Sequence, residues 1–185
     1  MSSQALIVVD VQQGFEDPVW GQRNNPRCEQ NIAALLDRWE QTGQPVVVIR
    51  HDSTEPGSPL RPGVAGNELK DFVRGRGDVL IGKSVHSSFH GSPDLHAWLQ
   101  EREVDAVAIC GITTNHCCET TARVAADLGY RVTFVADATS TFDRLSLSGR
   151  TIAADVLVEM TCTNLAGEFA EVRDTDSVLS SMVRS

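Results

Sequence analysis

The chain has 185 residues, a length that suits a single domain over 1–185 with a core that needs no staples. Its net charge of −9 is scattered along the sequence, which argues for solubility and against nucleic acid or an anionic membrane surface as a partner. Five cysteines, an odd number without repeated spacing, argue against a disulfide framework, and the first apolar run is too short for a membrane span. Met1-Ser2-Ser3-Gln4 carries no positive charge, so no secretory leader is expected. The expected setting is the reducing cytoplasm, where thiols stay free for chemistry.

Ala5-Leu6-Ile7-Val8-Val9 is a β-branched apolar run that reads as a strand buried on both faces, ending at Asp10. Residues 12–26 form a polar loop that holds Phe15 and Trp20. Ile32, Leu35, Leu36 and Trp39 give a helical stripe ended by Thr42-Gly43. Pro45 to Ile49 is a second buried strand, running into Arg50-His51-Asp52. Residues 53–78 then show no strand and carry Pro56, Pro59, Pro62 and five glycines. A short helix near Glu68 to Val73 is the most that fits, and so long a loop suggests a flap over a site or an oligomer contact.

Val79 to Gly82 is a third strand, ending at Lys83, and Asp94 to Glu103 a helix with Leu95, Trp98 and Leu99 inward. Ala106 to Cys110 is a fourth strand. After Gly111 and a run of small polar residues a helix begins with Cys117 in its first turn, continues through Thr121, Ala122, Ala125 and Leu128, and stops at Gly129. Val132 to Ala136 is a fifth strand ending at Asp137, which reads as a structural residue. A helix over 148–160, with Ile152, Val156 and Met160 on one face, a short strand at 162–165 and a last helix at 177–182 complete the reading. Strands alternating with helices imply an α/β fold with a mainly parallel sheet and helices on both faces.

Asp10, Lys83 and Cys117 each lie at or just past the carboxyl end of a predicted parallel strand, so they share one edge of the sheet, where such folds bind ligands. The three suit nucleophilic attack on a carbonyl. A helix N-terminus and a lysine cation favour the thiolate, and a nearby carboxylate takes the thiol proton and later hands it to a leaving amine. Backbone N–H groups in the turn before Cys117 are placed to hold an oxyanion.

Three segments carry a resemblance to a known family. They are Leu6-Ile7-Val8-Val9-Asp10-Val11-Gln12-Gln13-Gly14-Phe15, Gly82-Lys83-Ser84, and the run from Cys110 through Cys117-Cys118 to Arg123. The chain resembles the isochorismatase-like cysteine hydrolase superfamily, which includes nicotinamidases and N-carbamoylsarcosine amidases, from about residue 4 to 170. The resemblance implies a three-layer fold on a six-stranded sheet. It makes Asp10 the general base, Lys83 its charged companion and Cys117 the nucleophile. It also implies a cis peptide between Ile112 and Thr113, with the Thr113 and Cys117 amides as the oxyanion hole. The expected reaction is hydrolysis of a small amide, lactam or ureido compound through a thioester on Cys117. A dimer or larger homo-oligomer is expected, and no cofactor.

The departures from the family pattern are informative too. Family nicotinamidases bind a metal through Asp-x-His and a further histidine soon after, whereas this strand ends Arg50-His51-Asp52 and the next histidine is His86. No metal is expected, and nicotinamide becomes a secondary candidate. The presence of Cys117 argues against vinyl-ether hydrolysis, because true isochorismatases lack the nucleophilic cysteine. Gln13-Gly14 stands where Asn-Asp is more usual.

His51, His86 and His116 lie near the expected site edge as substrate contacts or structural residues. Phe15, Trp20 and Phe89 line a pocket or pack loops. Cys28, Cys110, Cys118 and Cys162 read as buried apolar residues, and His90 and His96 as surface residues. Two competing readings are a nucleotide- or flavin-binding module and an inactive binding relative. The first needs a glycine-rich loop after the first strand, which Asp10 to Phe15 is not. The intact Asp10, Lys83 and Cys117 set argues against the second.

Overall fold

A computed structural model describes residues 3–183, so the reading of Met1 and Ser2 lies outside the described residues. Six strands form one parallel sheet: β1 (Gln4–Val9), β2 (Val46–His51), β3 (Val79–Lys83), β4 (Ala106–Ile112), β5 (Arg131–Ser140) and, last in chain order, β8 (Glu171–Arg173). Their order is β3-β2-β1-β4-β5-β8. The direction of winding reverses between β1 and β4, and the crevice beyond the carboxyl ends there is the expected place for a ligand.

Helices cover both faces because each central strand is apolar on both sides. Leu6 and Val8 face α1 (Cys28–Thr42) and α5 (Thr175–Val183), meeting Ile32, Leu35, Leu36, Trp39 and Val178. Ala5, Ile7 and Val9 face the other layer, built from α2 (Leu95–Gln100), α3 (Glu119–Asp127) and α4 (Ala154–Leu165). No helix among the described residues is long and apolar enough to cross a membrane.

Gly111 fixes how closely β4 approaches β1. It pairs with Val9, has φ 133°, and a Cβ there would lie 2.1 Å from the Val9 carbonyl oxygen. Both backbones would have to shift to admit a side chain. Gly111→Ala is therefore expected to lower the unfolding free energy by more than about 3 kcal/mol, read from urea denaturation. A variant as stable as the parent would mean that the two strands part easily.

The structure corrects the sequence reading in several places. Residues 53–78 contain a short 3-10 turn at Ala65–Asn67 and no helix at 68–73. Leu69 and Val73 still bury themselves on the α1 face, so this irregular segment does the covering that a crossover helix does elsewhere. Its earlier part brings Leu60 against Phe15 at the carboxyl edge. Lys70 pairs with Glu16 and Glu29, tying the segment to the 12–26 loop and to α1.

The helix expected at 148–160 starts later. Residues Arg144–Leu145 (β6) and Thr151–Ile152 (β7) form a small antiparallel hairpin, and α4 begins only where Asp143 Oδ1 accepts from Ala154 N at 2.8 Å. The strand expected at 162–165 is the end of α4, and the edge strand is β8 instead. Val156 and Met160 face outward, while Ala154, Thr161 and Leu165 are buried. Asp137 lies inside β5 and accepts from Thr175 N and Oγ1, both at 2.7 Å, so it anchors α5.

Candidate active site

The sheet brings three carboxyl ends together. Asp10 follows β1 with φ 53°, a left-handed turn that aspartate tolerates. Its N–H bonds to Ile49 O of β2 at 3.1 Å, and Gln12 N reaches back to Asp10 O at 2.9 Å, so the turn is anchored from both sides. Lys83 is the last residue of β3, directly paired with His51 at the end of β2. Residues opposite one another in a sheet point to the same face, so the lysine and histidine side chains rise together.

Cys117 does not sit in the first turn of an ordinary α-helix. It lies in a π-helical turn, Thr114–Cys118, which runs into α3. Thr113 O accepts from His116 N at 3.3 Å and from Cys118 N at 3.2 Å, passing over Cys117 between them. Two hydroxyl contacts fasten the turn to the carboxyl end of β5. Thr114 Oγ1 donates to Thr139 Oγ1 at 2.9 Å, and Thr141 Oγ1 donates to Asn115 Oδ1 at 2.6 Å. The peptide between Ile112 and Thr113 is cis, as the resemblance implies.

Lys83 Nζ is the centre of the cluster. It donates to Asp10 Oδ2 at 2.7 Å and Val85 O at 3.1 Å, and lies 3.2 Å from His51 Nδ1 and 3.4 Å from Cys117 Sγ. The Asp10 and Lys83 side chains are both fully buried. Asp10 Oδ1, also buried, has no hydrogen-bond partner among the described residues, which leaves it free to take a proton. On the outer side of the thiol, His86 Nδ1 lies 3.7 Å from Sγ, and the His86 and His116 rings are 5.9 Å apart.

Electrostatics alter one expectation. Burial, then the charge of Asp10, pushes the Cys117 thiol above its ordinary range, against the pull of Lys83. The helix terminus and the ammonium do not leave a free thiolate at rest. At this position the neutral form of the thiol is favoured. Burial lowers the affinity of Lys83 for its proton, but Asp10 and Cys117 outweigh it, so its pKa is raised. His51 is lowered by burial and then by Lys83, and His116 by burial and then by Arg144, so both favour the neutral ring.

The donor atoms of Asp10, His51 and Cys117 lie within 4.8 Å of one another, a spacing that suggests a metal. The residues do not fit one. The space between them holds the Lys83 ammonium, whose charge repels a metal cation. Asp52 is held by Arg50 at 2.7 and 3.0 Å and by Asn67 at 3.0 Å.

The other candidate residues divide. Phe15 and Trp20 cluster with Leu60, Ile112 and Phe142 beside the cis peptide, and Trp20 Nε1 donates to Gly14 O at 2.8 Å. They pack the loops at the rim of the site. Phe89 turns away, because Ser87 caps its N–H and Ser88 bonds Thr121. Its ring stacks on Tyr130 at 5.8 Å, next to the amino end of β5, so Phe89 is a core residue. His96 is not free on the surface, since its Nδ1 meets the Tyr130 hydroxyl at 2.7 Å. Cys110 and Cys118 are fully buried.

Sequence reasoning gave no role to Gln12 or Asn67. The Gln12 side chain accepts from His51 N at 2.8 Å and donates to His51 O at 3.0 Å and Asn67 O at 2.8 Å. Asn67 Nδ2 also donates to His51 O, at 3.1 Å. The signal was Gln12 itself, a polar residue three places beyond a buried strand.

The isochorismatase domain model matches residues 4–177. A Bacillus subtilis (strain 168) protein described as of the isochorismatase family is 35% identical over 98% of this chain and 97% of its own length. Nicotinamidase 3 of Arabidopsis thaliana is 30% identical over 97% of this chain and 88% of its own. A hydrolase structure of the isochorismatase family from Chromobacterium violaceum superposes with a TM-score of 0.93 at 36% identity, covering 99% of this chain and 95% of that one.

Proposed function

The chain belongs to the isochorismatase family of hydrolases, and we propose that it is a cysteine hydrolase that cleaves the C–N bond of a small amide, lactam or ureido compound. The observation that carries this reading is the buried Lys83 ammonium, bonded to Asp10 at 2.7 Å and touching the Cys117 sulfur at 3.4 Å. Asp10 Oδ1 takes the thiol proton, and the sulfur attacks the carbonyl carbon while Lys83 balances the charge that remains. The oxyanion turns toward the Thr113 and Cys117 backbone N–H groups. Protonated Asp10 returns its proton to the departing nitrogen, leaving a thioester on Cys117. Water, deprotonated by Asp10, then hydrolyses the thioester and restores the thiol. No step is routed through a metal.

The test is a panel of small amides, lactams and carbamoyl compounds, with nicotinamide among them because a relative of this chain is a nicotinamidase. Release of ammonia or amine is measured with Cys117→Ala as control. Turnover lost in the alanine variant supports the reading. Turnover that survives the substitution sinks the thioester route.

A further inference from the structure

The Lys83 ammonium has three protons and four neighbours able to receive them: Asp10 Oδ2, Val85 O, His51 Nδ1 and Cys117 Sγ. An ammonium only donates, so the His51 nitrogen that faces it carries the lone pair and the ring proton sits on Nε2. Asp10 at 2.7 Å and Val85 at 3.1 Å hold two of the protons. The third has a choice between His51 at 3.2 Å and the sulfur at 3.4 Å. A neutral thiol is a weak acceptor, and an imidazole lone pair is a good one.

We propose that His51 is a positioning residue that holds the third proton of Lys83 in the resting enzyme and thereby restrains Cys117 from ionising before attack. When the thiol proton passes to Asp10 Oδ1, the sulfur becomes the stronger acceptor. The N–H of Lys83 then turns from His51 to the sulfur, and no covalent bond of the histidine changes. His51 loses its donor in the thiolate state, so its presence favours the thiol.

The histidine is built to do this. Its backbone N–H and carbonyl are clasped by Gln12, and the carbonyl also by Asn67. These contacts fix the end of β2, and the register with Lys83 fixes the partner. Burial and the lysine charge keep the ring neutral, as an acceptor must be. The charged or titratable groups around it are Lys83, Asp10, His86 and Asp52, and those around the thiol are Asp10, Lys83 and His86.

The inference deepens the proposed mechanism, but its test reads thiol acidity and needs no substrate. The rate of Cys117 alkylation by iodoacetamide is followed against pH, with mass spectrometry to locate the label, in the parent, His51→Leu and His51→Asn. Loss of the acceptor in His51→Leu is expected to lower the midpoint by about one pH unit, giving roughly tenfold faster labelling below it. His51→Asn, whose side-chain oxygen replaces the ring nitrogen, is expected to keep the parent midpoint. An unchanged midpoint in His51→Leu overturns the proposal, as does an equal shift in His51→Asn. A rate raised equally at every pH, plateau included, also overturns it, because that reports access. His51→Met takes the place of the leucine variant should that one not fold. Midpoints that shift as expected in a chain that turns over no amide would remove the proposed activity and leave this role of His51 standing.

Discussion

Cys117→Ser is expected to lower turnover of whichever amide the panel identifies by at least about 10³-fold while leaving the melting temperature unchanged. The side chain keeps nearly its size, in a site where Cys117 is only 8% exposed, so packing should survive. The chemistry does not survive. A hydroxyl loses its proton far less readily than a thiol, and burial together with Asp10 already opposes ionisation at this position. Asp10→Asn is expected to act on the same step, with a loss of about 10²–10⁴-fold typical of a removed general base. Steady-state rates and thermal melts on both variants check this. A serine variant within tenfold of the parent would show that the sulfur does not form the bond.

Lys83→Met is expected to cost stability as well as activity. It leaves the Asp10 carboxylate fully buried without its cation. Breaking such a pair from one side typically costs about 3–5 kcal/mol, which for a domain of this size lowers the melting temperature by roughly 10 °C. The double variant Asp10→Asn, Lys83→Met removes both charges and is expected to regain most of that loss, since asparagine also tolerates the left-handed backbone at φ 53°. Lys83 is raised in the folded state. Its contribution is therefore complete below the ordinary lysine range and is lost only as pH rises through the raised value. Calorimetry at neutral pH and in the alkaline range measures both effects. A single variant as stable as the parent would mean that water reaches Asp10.

Much of this molecule was legible in its sequence because the physics is local and repetitive. Runs such as Leu6 to Val9 and Val46 to Ile49 are apolar at every position, which only a strand covered on both faces permits. Parallel strands share one carboxyl edge, so residues that end three of them converge without any knowledge of contacts. What was not legible depended on context. Thr151-Ile152 looked helical but pairs with Arg144-Leu145, because a turn at Ser146–Gly149 brings them together. The three residues of β8 are too few and too polar to announce a strand. The direction of the thiol shift was misread because depth of burial is a property of the fold. His51 reads from the sequence as a substrate contact or a structural residue, and its place beside Lys83 stayed hidden because that register is not written in either strand alone.

The pairing of β1 with β4 also has a consequence for how the chain is made. β1 is synthesised before β4, yet it is a central strand whose neighbour on one side is residues 106–111, 102 positions later. Until those residues emerge, a fully apolar strand has an open hydrogen-bonding edge, the kind of surface that sticks to other nascent chains. Such long-range pairing is slow to close. Asp10 then waits at the end of an unfinished sheet and meets Cys117 only when the second half of the fold docks. Cys117 reactivity therefore requires β1, β3 and the turn after β4 to have come together, and its appearance during refolding reports that assembly.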